Sequence, residues 1–295
     1  MGTPMVENLL KGGHEVYVYD LKETNLRHVV CAGAISARNT LEVARHKDYV
    51  ITSLPSPSAL DNVMLGKGKI VESVGRGTLI VITDTVLPRQ ILSLAEEAAK
   101  RGVELVDSPV SGSVSRAITG ELTAMIGGTK TNFDRAKPIV ERIANRIHHV
   151  GPLGSGETVK LANNMMEYVN LTSMCEALVL IAKAGIRLQK FREIIQTSSG
   201  NSYVFAKLFD LMIAHKFLPP NAKTIIARKD LTLAKRLAED LGIPTFVAGL
   251  SKELFELAVA KGYGDQDYTS LLKIYEEAAR LDIKKHDLLE RADGT

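Results

Sequence analysis

Gly151-Pro-Leu-Gly-Ser-Gly156, running on into Glu157-Thr-Val-Lys160-Leu-Ala-Asn163-Asn164, divides the chain into two unlike halves. Before it, helical and extended patterns alternate: helix Pro4–Gly12, strand Glu15–Asp20, helix Leu21–Gly33, strands Tyr49–Leu54 and Leu79–Thr83, helix Pro88–Arg101 and strand Val103–Val106. Strands Leu122–Ile126 and Arg146–Val150 then flank a helix at Asn132–Ala144. Near-continuous apolar strands in a β–α–β rhythm predict a doubly wound parallel sheet covered on both faces. After the divide, strands nearly vanish. Thr158–Ala184 reads as one helix of about 40 Å, apolar on much of its circumference. Helices follow at Leu188–Ser198, Tyr203–His215, Ala222–Asp240, Val247–Lys261 and Tyr268–Leu281. The spacing predicts an α/β domain over residues 1–150 and an all-helical domain over 151–295. The apolar breadth of the long helix also leaves room for a partner subunit on it.

The 295 residues carry 45% hydrophobic and 24% charged side chains and a net charge of +3, with both signs interspersed. That is a globular composition with no call for nucleic acid or a membrane surface. The apolar run around Ala177–Ala182 is broken by Glu176 and Lys183, short of the roughly 20 residues a membrane span needs. Asn170-Leu-Thr172 fits a glycosylation pattern but falls mid-helix with no export signal beside it. Cys31 and Cys175 follow no metal or redox spacing and read as small buried hydrophobes of a reducing, cytoplasmic compartment. His148 and His149 are neighbours in a strand and point to opposite faces, so no shared metal is expected.

Four groups of residues carry chemistry. Lys160 and Asn164, four apart on a helix, share a face beside Asn163, so a cation and amides aim at one oxygen-rich molecule. Asp20 ends a strand; an acidic residue there accepts from the ribose 2′-hydroxyl of NAD in dinucleotide folds, and it equally serves as a helix cap. The turn Asp107-Ser-Pro-Val-Ser111-Gly112-Ser113 offers a hydroxyl and backbone N–H groups suited to a carboxylate. Lys229-Asp230 places a second amine on a helix. A strand leading into a Gly-x-Gly-x-x-Gly turn is absent: the sequence opens at Met1-Gly2-Thr-Pro, so only the last glycine has a counterpart, in Gly2.

Together these motifs, in order and spacing, resemble the β-hydroxyacid dehydrogenases: Met1-Gly2-Thr-Pro-Met5, Val18-Tyr-Asp20, Leu54-Pro55, Asp107-Ser-Pro-Val-Ser-Gly112 with Gly120-Glu-Leu-Thr123, Gly154-x-Gly156-x-x-x-Lys160-x-x-Asn163-Asn164, and Lys229-Asp230-Leu231. The resemblance covers the chain from Met1 to about Leu272. It implies a Rossmann-type domain followed by a helical domain carrying the contacts of a homodimer or homotetramer. It also implies roles. Lys160 exchanges the proton and Asn164 holds the substrate, with Asn163 beside it. Ser111, Gly112 and Ser113 bind the substrate carboxylate, Lys229 reaches nicotinamide and substrate, and Asp230 orients Lys229 beside the substrate. Met1, Gly2, Leu54, Pro55 and Thr85 line the cofactor.

The implied activity is hydride transfer between NAD, or NADP, and a short 3-hydroxy acid of the 3-hydroxyisobutyrate, glycerate or threonate type. Asp20 favours NAD, since a 2′-phosphate would face its carboxylate. A lysine base near pH 7 needs its pKa lowered by about 3 units from roughly 10.4. The opposite expectation is a non-catalytic binding protein of the same fold, inactive for want of the phosphate loop. An imine reductase is disfavoured by Lys160, and a 6-phosphogluconate dehydrogenase by the lack of a basic cluster for a substrate phosphate. Two departures from the family pattern stand out: Ser113 replaces a glycine, and Asp84-Thr85 replaces Ser-Thr, setting an extra carboxylate near the nicotinamide edge. Polar Asn201 and Ser202 point to a hydroxylated substrate.

Overall fold

Strong local signals set the elements of the first unit. In the computed structural model, which describes residues 1–45, 47–66 and 68–285, this unit covers Met1–Leu161 and the second Ala162–Thr295. The first unit runs α1 (Gly2–Lys11), β1 (Tyr17–Val18), α2 (Glu23–Cys31), β2 (Ile35–Ser36), α3 (Thr40–Ala44), β3 (Tyr49–Thr52), α4 (Pro57–Met64), α5 (Ile70–Ser73) and β4 (Leu79–Ile82). It continues with α6 (Pro88–Ala99), β5 (Glu104–Asp107), β6 (Val110–Ser111), α7 (Ser113–Thr119), β7 (Leu122–Gly127), α8 (Lys130–Val140) and β8 (Ala144–Gly151). Ser56 starts α4, its hydroxyl accepting from the Ala59 N–H at 3.2 Å ahead of Pro57 in the first turn. Thr129 starts α8 in the same way through the Asn132 N–H.

All four residues of β4 are buried because the strand has core on both faces. Leu79 and Val81 join one cluster with Met5, Leu9 and Ile139, while Ile80 and Ile82 join the other with Leu60, Ile91 and Leu94. β3, β4 and β5 pair in parallel, as the apolar runs predict. The rest of the sheet departs from an all-parallel one: β7 is antiparallel to both β5 and β6, and parallel to β8. Strand direction after Asp107 turns on the tight β6–α7 connection, which hydrophobic pattern does not report. β1 and β2 form a separate two-stranded parallel sheet, and among the described residues no strand precedes α1.

The second unit is helical. α9 (Ser155–Lys183) enters it, followed by α10 (Leu188–Gln196), α11 (Tyr203–Ile213), α12 (Thr224–Asp240), α13 (Phe246–Ala258) and α14 (Leu272–Ala279). By length and composition α9 is apolar enough to cross a membrane, which corrects the shorter reading of the run at Ala177–Ala182. Its side chains explain the apolarity: Tyr168, Leu171, Met174, Cys175, Leu178 and Ala182 pack with Phe205, Phe209 and Phe255 in the core of this unit. Cys175 is buried as expected, whereas Cys31 is exposed.

The start of α9 presses on the sheet. A Cβ added at Gly156 would lie 2.2 Å from the Met125 carbonyl oxygen and 2.8 Å from Asp107 Oδ2. Gly156→Ala is therefore expected to destabilise the protein by roughly 2–3 kcal/mol, since backbone on both sides must shift. Urea unfolding checks this as a lowered midpoint at unchanged slope.

Candidate active site

The parallel register fixes where the first unit offers chemistry. Thr52 pairs with Ile82, and Ile82 with Asp107, so β3, β4 and β5 end level with one another. Leu54-Pro55, Thr85 and the Asp107–Ser113 turn therefore leave the sheet at its carboxyl edge, where open α/β sheets bind ligands. Gly2 opens α1 nearby: a Cβ there would sit 3.6 Å from Ser53 Cβ. Burial holds the Met1 ammonium below the usual terminal range, and the charge of Asp20 opposes that shift, so the beginning of α1 and Asp20 face one region. Asp20 is also a local clamp, its Oδ1 accepting from the Lys22 N–H at 2.7 Å and its Oδ2 from Asn25 Nδ2 at 2.8 Å. An exposed carboxylate keeps lone pairs for a ribose while doing this. Carboxyl-edge loops, a helix start and Asp20 make a donor and acceptor set that fits a nicotinamide dinucleotide.

Asp84 does not behave as a loose extra charge. It is buried, accepting from Thr52 Oγ1 at 2.5 Å and from the Leu54 N–H, so it ties the loop after β4 to the end of β3. The carboxylate thus has a structural role at the sheet edge, with a protein donor on each oxygen.

Ser111 ends β6 opposite Thr123. Gly112 follows at φ 139°, and Ser113 sits at φ 62°, a left-handed backbone that costs a non-glycine residue about 1–2 kcal/mol. Its hydroxyl lies 3.0 Å from Ser115 Oγ. Strain of this kind clusters at functional sites.

Lys160 stands in the second turn of α9 and is 8% exposed, an unusual depth for an ammonium. Two carboxylates that the residue patterns did not assign a role secure the turn before it. Asp107 accepts from the Gly154 N–H at 2.8 Å and the Glu157 N–H at 2.9 Å. Glu157 Oε2 accepts from the Val86 N–H at 3.1 Å. Desolvation raises the Asp107 pKa, and the amides of Gly154, Glu157 and Gly156 pull against it.

In the second unit, Asn164 is set by its neighbours. Its Oδ1 accepts from Asn163 Nδ2 at 3.1 Å, and its Nδ2 donates to Asp230 Oδ2 at 2.8 Å. Tyr168 donates to the same oxygen at 3.2 Å, and Lys229 Nζ lies 3.0 Å from Asp230 Oδ1. Asp230, 3% exposed, is thus the hub joining Asn164, Tyr168 and Lys229. Tyr168 went unread, although the step of four from Lys160 to Asn164 continues to it. Burial first, then the charges of Asp230 and Glu167, push its phenol well above the ordinary range. Asn201 and Ser202 each make a local bond. The Asn201 amide donates to the Gln196 carbonyl at 3.0 Å, and the Ser202 hydroxyl starts α11 by accepting from the Phe205 N–H at 3.0 Å.

Elsewhere, His149 stacks on Phe133 and bonds the Gly128 carbonyl. His215, Glu276 and Asp282 bring potential metal donors within 4.8 Å of one another. Glu276 Oε1 already accepts from His215 Nε2 at 2.9 Å and the Ile283 N–H at 2.8 Å, and Asp282 Oδ1 accepts from the Lys285 N–H.

A phenol that stays neutral when folded and ionises when unfolded contributes stability below its unfolded pKa and loses it as pH rises. Stability is therefore expected to fall above about pH 10, and to fall less in Tyr168→Phe. Urea unfolding of both proteins at pH values either side of that point measures the difference.

Known proteins match this chain over most of its length. The NAD binding domain of 6-phosphogluconate dehydrogenase matches residues 1–151, and the NAD-binding domain of NADP-dependent 3-hydroxyisobutyrate dehydrogenase matches residues 154–275. The 2-(hydroxymethyl)glutarate dehydrogenase of Eubacterium barkeri is 36% identical, over 96% of this chain and 94% of its own. The NAD-dependent L-serine dehydrogenase of Pseudomonas aeruginosa is 29% identical, over 94% and 95%. The 3-hydroxyisobutyrate dehydrogenase of Mycobacterium tuberculosis, solved with L-serine, superposes with a TM-score of 0.84 at 26% identity, over 93% of this chain and 95% of that one.

Proposed function

The chain belongs to the β-hydroxyacid dehydrogenases, oxidoreductases that couple a nicotinamide dinucleotide to a small hydroxy acid, and we propose that it moves a hydride between NAD and a short 3-hydroxy acid. The observation that carries this reading is the buried amine of Lys160, one turn before an Asn164 whose amide is oriented from both sides. 2-(Hydroxymethyl)glutarate, L-serine and 3-hydroxyisobutyrate share one skeleton, a primary alcohol one carbon removed from the carbon bearing a carboxylate. That skeleton is the substrate class we assign.

A nicotinamide held at this edge would supply the hydride chemistry, taking the hydride of the carbinol carbon in oxidation and giving one in reduction. Lys160 Nζ takes the hydroxyl proton as the aldehyde forms and gives it back to the alkoxide in the reverse direction. Asn164 Nδ2 spends one hydrogen on Asp230 and directs the other to the substrate oxygen. Asp230 holds Lys229 in place, and Lys229 faces substrate and nicotinamide. The Ser111 hydroxyl and the N–H groups of Gly112 and Ser113 hold the carboxylate. Leu54, Pro55 and Thr85 line the dinucleotide, and Asp20 takes the ribose hydroxyls. That last contact sets NAD above NADP, because a 2′-phosphate would meet a carboxylate. The working form is a homodimer of the cytoplasm. Support for a second copy comes from α13, where Phe246, Val247, Leu250 and Leu257 are 83%, 62%, 59% and 42% exposed, just after exposed Leu241 and Ile243.

Turnover of a panel of 3-hydroxy acids, read by NADH absorbance, tests the reaction. Lys160→Ala is expected to lose about 10²–10⁴-fold in kcat while NAD still raises the melting temperature. Comparable turnover in that variant removes lysine from the chemistry, and a preference for NADP removes the role of Asp20. Phe246→Asp combined with Leu250→Asp is expected to halve the mass seen by sedimentation.

A further inference from the structure

We propose that Asp107 and Glu157 form a two-carboxylate brace that positions Lys160, acting through the first turn of α9 rather than by touching substrate. The inference rests on the proton-transfer role given to Lys160 above and adds what holds that amine in register.

A helix start leaves backbone N–H groups without intrahelical partners. At four other helix starts the preceding residue meets part of this need from next door, with the side chains of Asn39, Ser56, Thr129 and Ser202 each accepting from a first-turn amide. α9 is different. Its amides at Gly154 and Glu157 bond a carboxylate that comes from 47 and 50 residues away, at the end of β5. Asp107 is fully buried, and an ion there carries a desolvation cost that a serine hydroxyl would avoid. What the anion gives in return is reach: its two oxygens hold two amides of one turn at once, from a strand rather than from the helix itself.

The space for this contact is made by glycine on both sides. A Cβ at Gly127 would lie 2.3 Å from Asp107 Oδ1, and one at Gly156 would lie 2.8 Å from Oδ2. Either methyl would displace the carboxylate. The Glu157 side chain reaches a different part of the sheet edge. It too is fully buried, and its Oε2 accepts from the Val86 N–H, in the loop that carries Thr85. The first turn of α9 is thereby fixed at two points, the end of β5 and the loop after β4. Lys160 lies one turn beyond Glu157. A lysine reaches its target through a flexible four-carbon stem, so the stem's root decides where the amine dwells. Fixing that root against the loop of Thr85 places the amine relative to the dinucleotide edge. Misplacement by about 1 Å in such a site costs on the order of 10²-fold in rate.

The test compares Asp107→Ala, Asp107→Asn, Glu157→Ala and Glu157→Gln in the full chain. Each alanine variant is expected to lower kcat by about 10–100-fold while the dissociation constant of NAD stays within about threefold. The amide variants recover part of the loss, since an amide oxygen still accepts one of the bonds. Amide hydrogen exchange is expected to rise at least tenfold across residues 154–160 in the alanine variants and to stay unchanged in α11 and α13. Should Asp107→Ala fail to fold, Asp107→Asn and Glu157→Ala must show the same pattern. The proposal is overturned if kcat stays within twofold in the folded variants or if first-turn exchange is unaltered. It is equally overturned if kcat, NAD affinity and protection fall together throughout the protein, which is what a purely structural pair would do. If the parent chain turns over no 3-hydroxy acid, the functional reading fails, and hydrogen exchange alone still decides whether the brace exists.

Discussion

The approach of α9 to the sheet is a contact that only glycine permits, and much else follows from it. Gly156 lets the helix backbone reach the Met125 carbonyl, and Gly127 leaves Asp107 room to turn under the helix. With any larger residue at either position, the first turn would lift from β7 and its amides would lose their acceptor. The Gly154-x-Gly156 pattern is thus a packing requirement before it is anything else. The catalytic assignment inherits it, because Lys160 can be buried only if the turn that carries it is pressed home.

A second constraint operates within the helical unit. Asp230 is a buried carboxylate, costly unless fully engaged. It is engaged by an amide, a phenol and an ammonium from Asn164, Tyr168 and Lys229. Each of those groups is in turn oriented by the charge it satisfies. The amide of Asn164 cannot rotate without breaking its bond to Asp230 or the one it accepts from Asn163. A hub of this type converts the cost of burying one charge into fixed directions for three side chains, which is what a binding site made of amides and amines needs.

Elements long enough to show a period were legible in the sequence. Helices α9, α12 and α13 follow their apolar spacing to within a few residues, and β4 reads as a two-sided strand from Leu79-Ile-Val-Ile82 alone. Short elements were not: β2, β6, α3, α5 and α7 span two to seven residues, too few to establish periodicity against turn-like composition. Direction in the sheet also escaped, because β7 looks the same from its side chains whichever way it runs. In the candidate site, the pair Lys160 and Asn164 and the dipeptide Lys229-Asp230 were legible as two separate groups, and the bond that joins Asn164 to Asp230 was not. Tyr168 looked like one more core aromatic, and the use of Asp107 as a remote helix cap depends on a contact across 50 residues that no local pattern announces.

The two departures from the family pattern are instructive because the structure gives them unequal weight. Asp84 looked electrostatically consequential, a charge set near a nicotinamide. Its two oxygens receive the Thr52 hydroxyl and the Leu54 N–H, which ties down the edge on which Leu54 and Pro55 stand. Ser113 looked like a small change of bulk. It holds a left-handed backbone that glycine would adopt at no cost, beside a Gly112 whose φ of 139° no larger residue adopts easily. A strained residue persists only where its surroundings over-determine it. The turn at Gly112-Ser113 is therefore where this chain departs from the family pattern in backbone as well as in side chain.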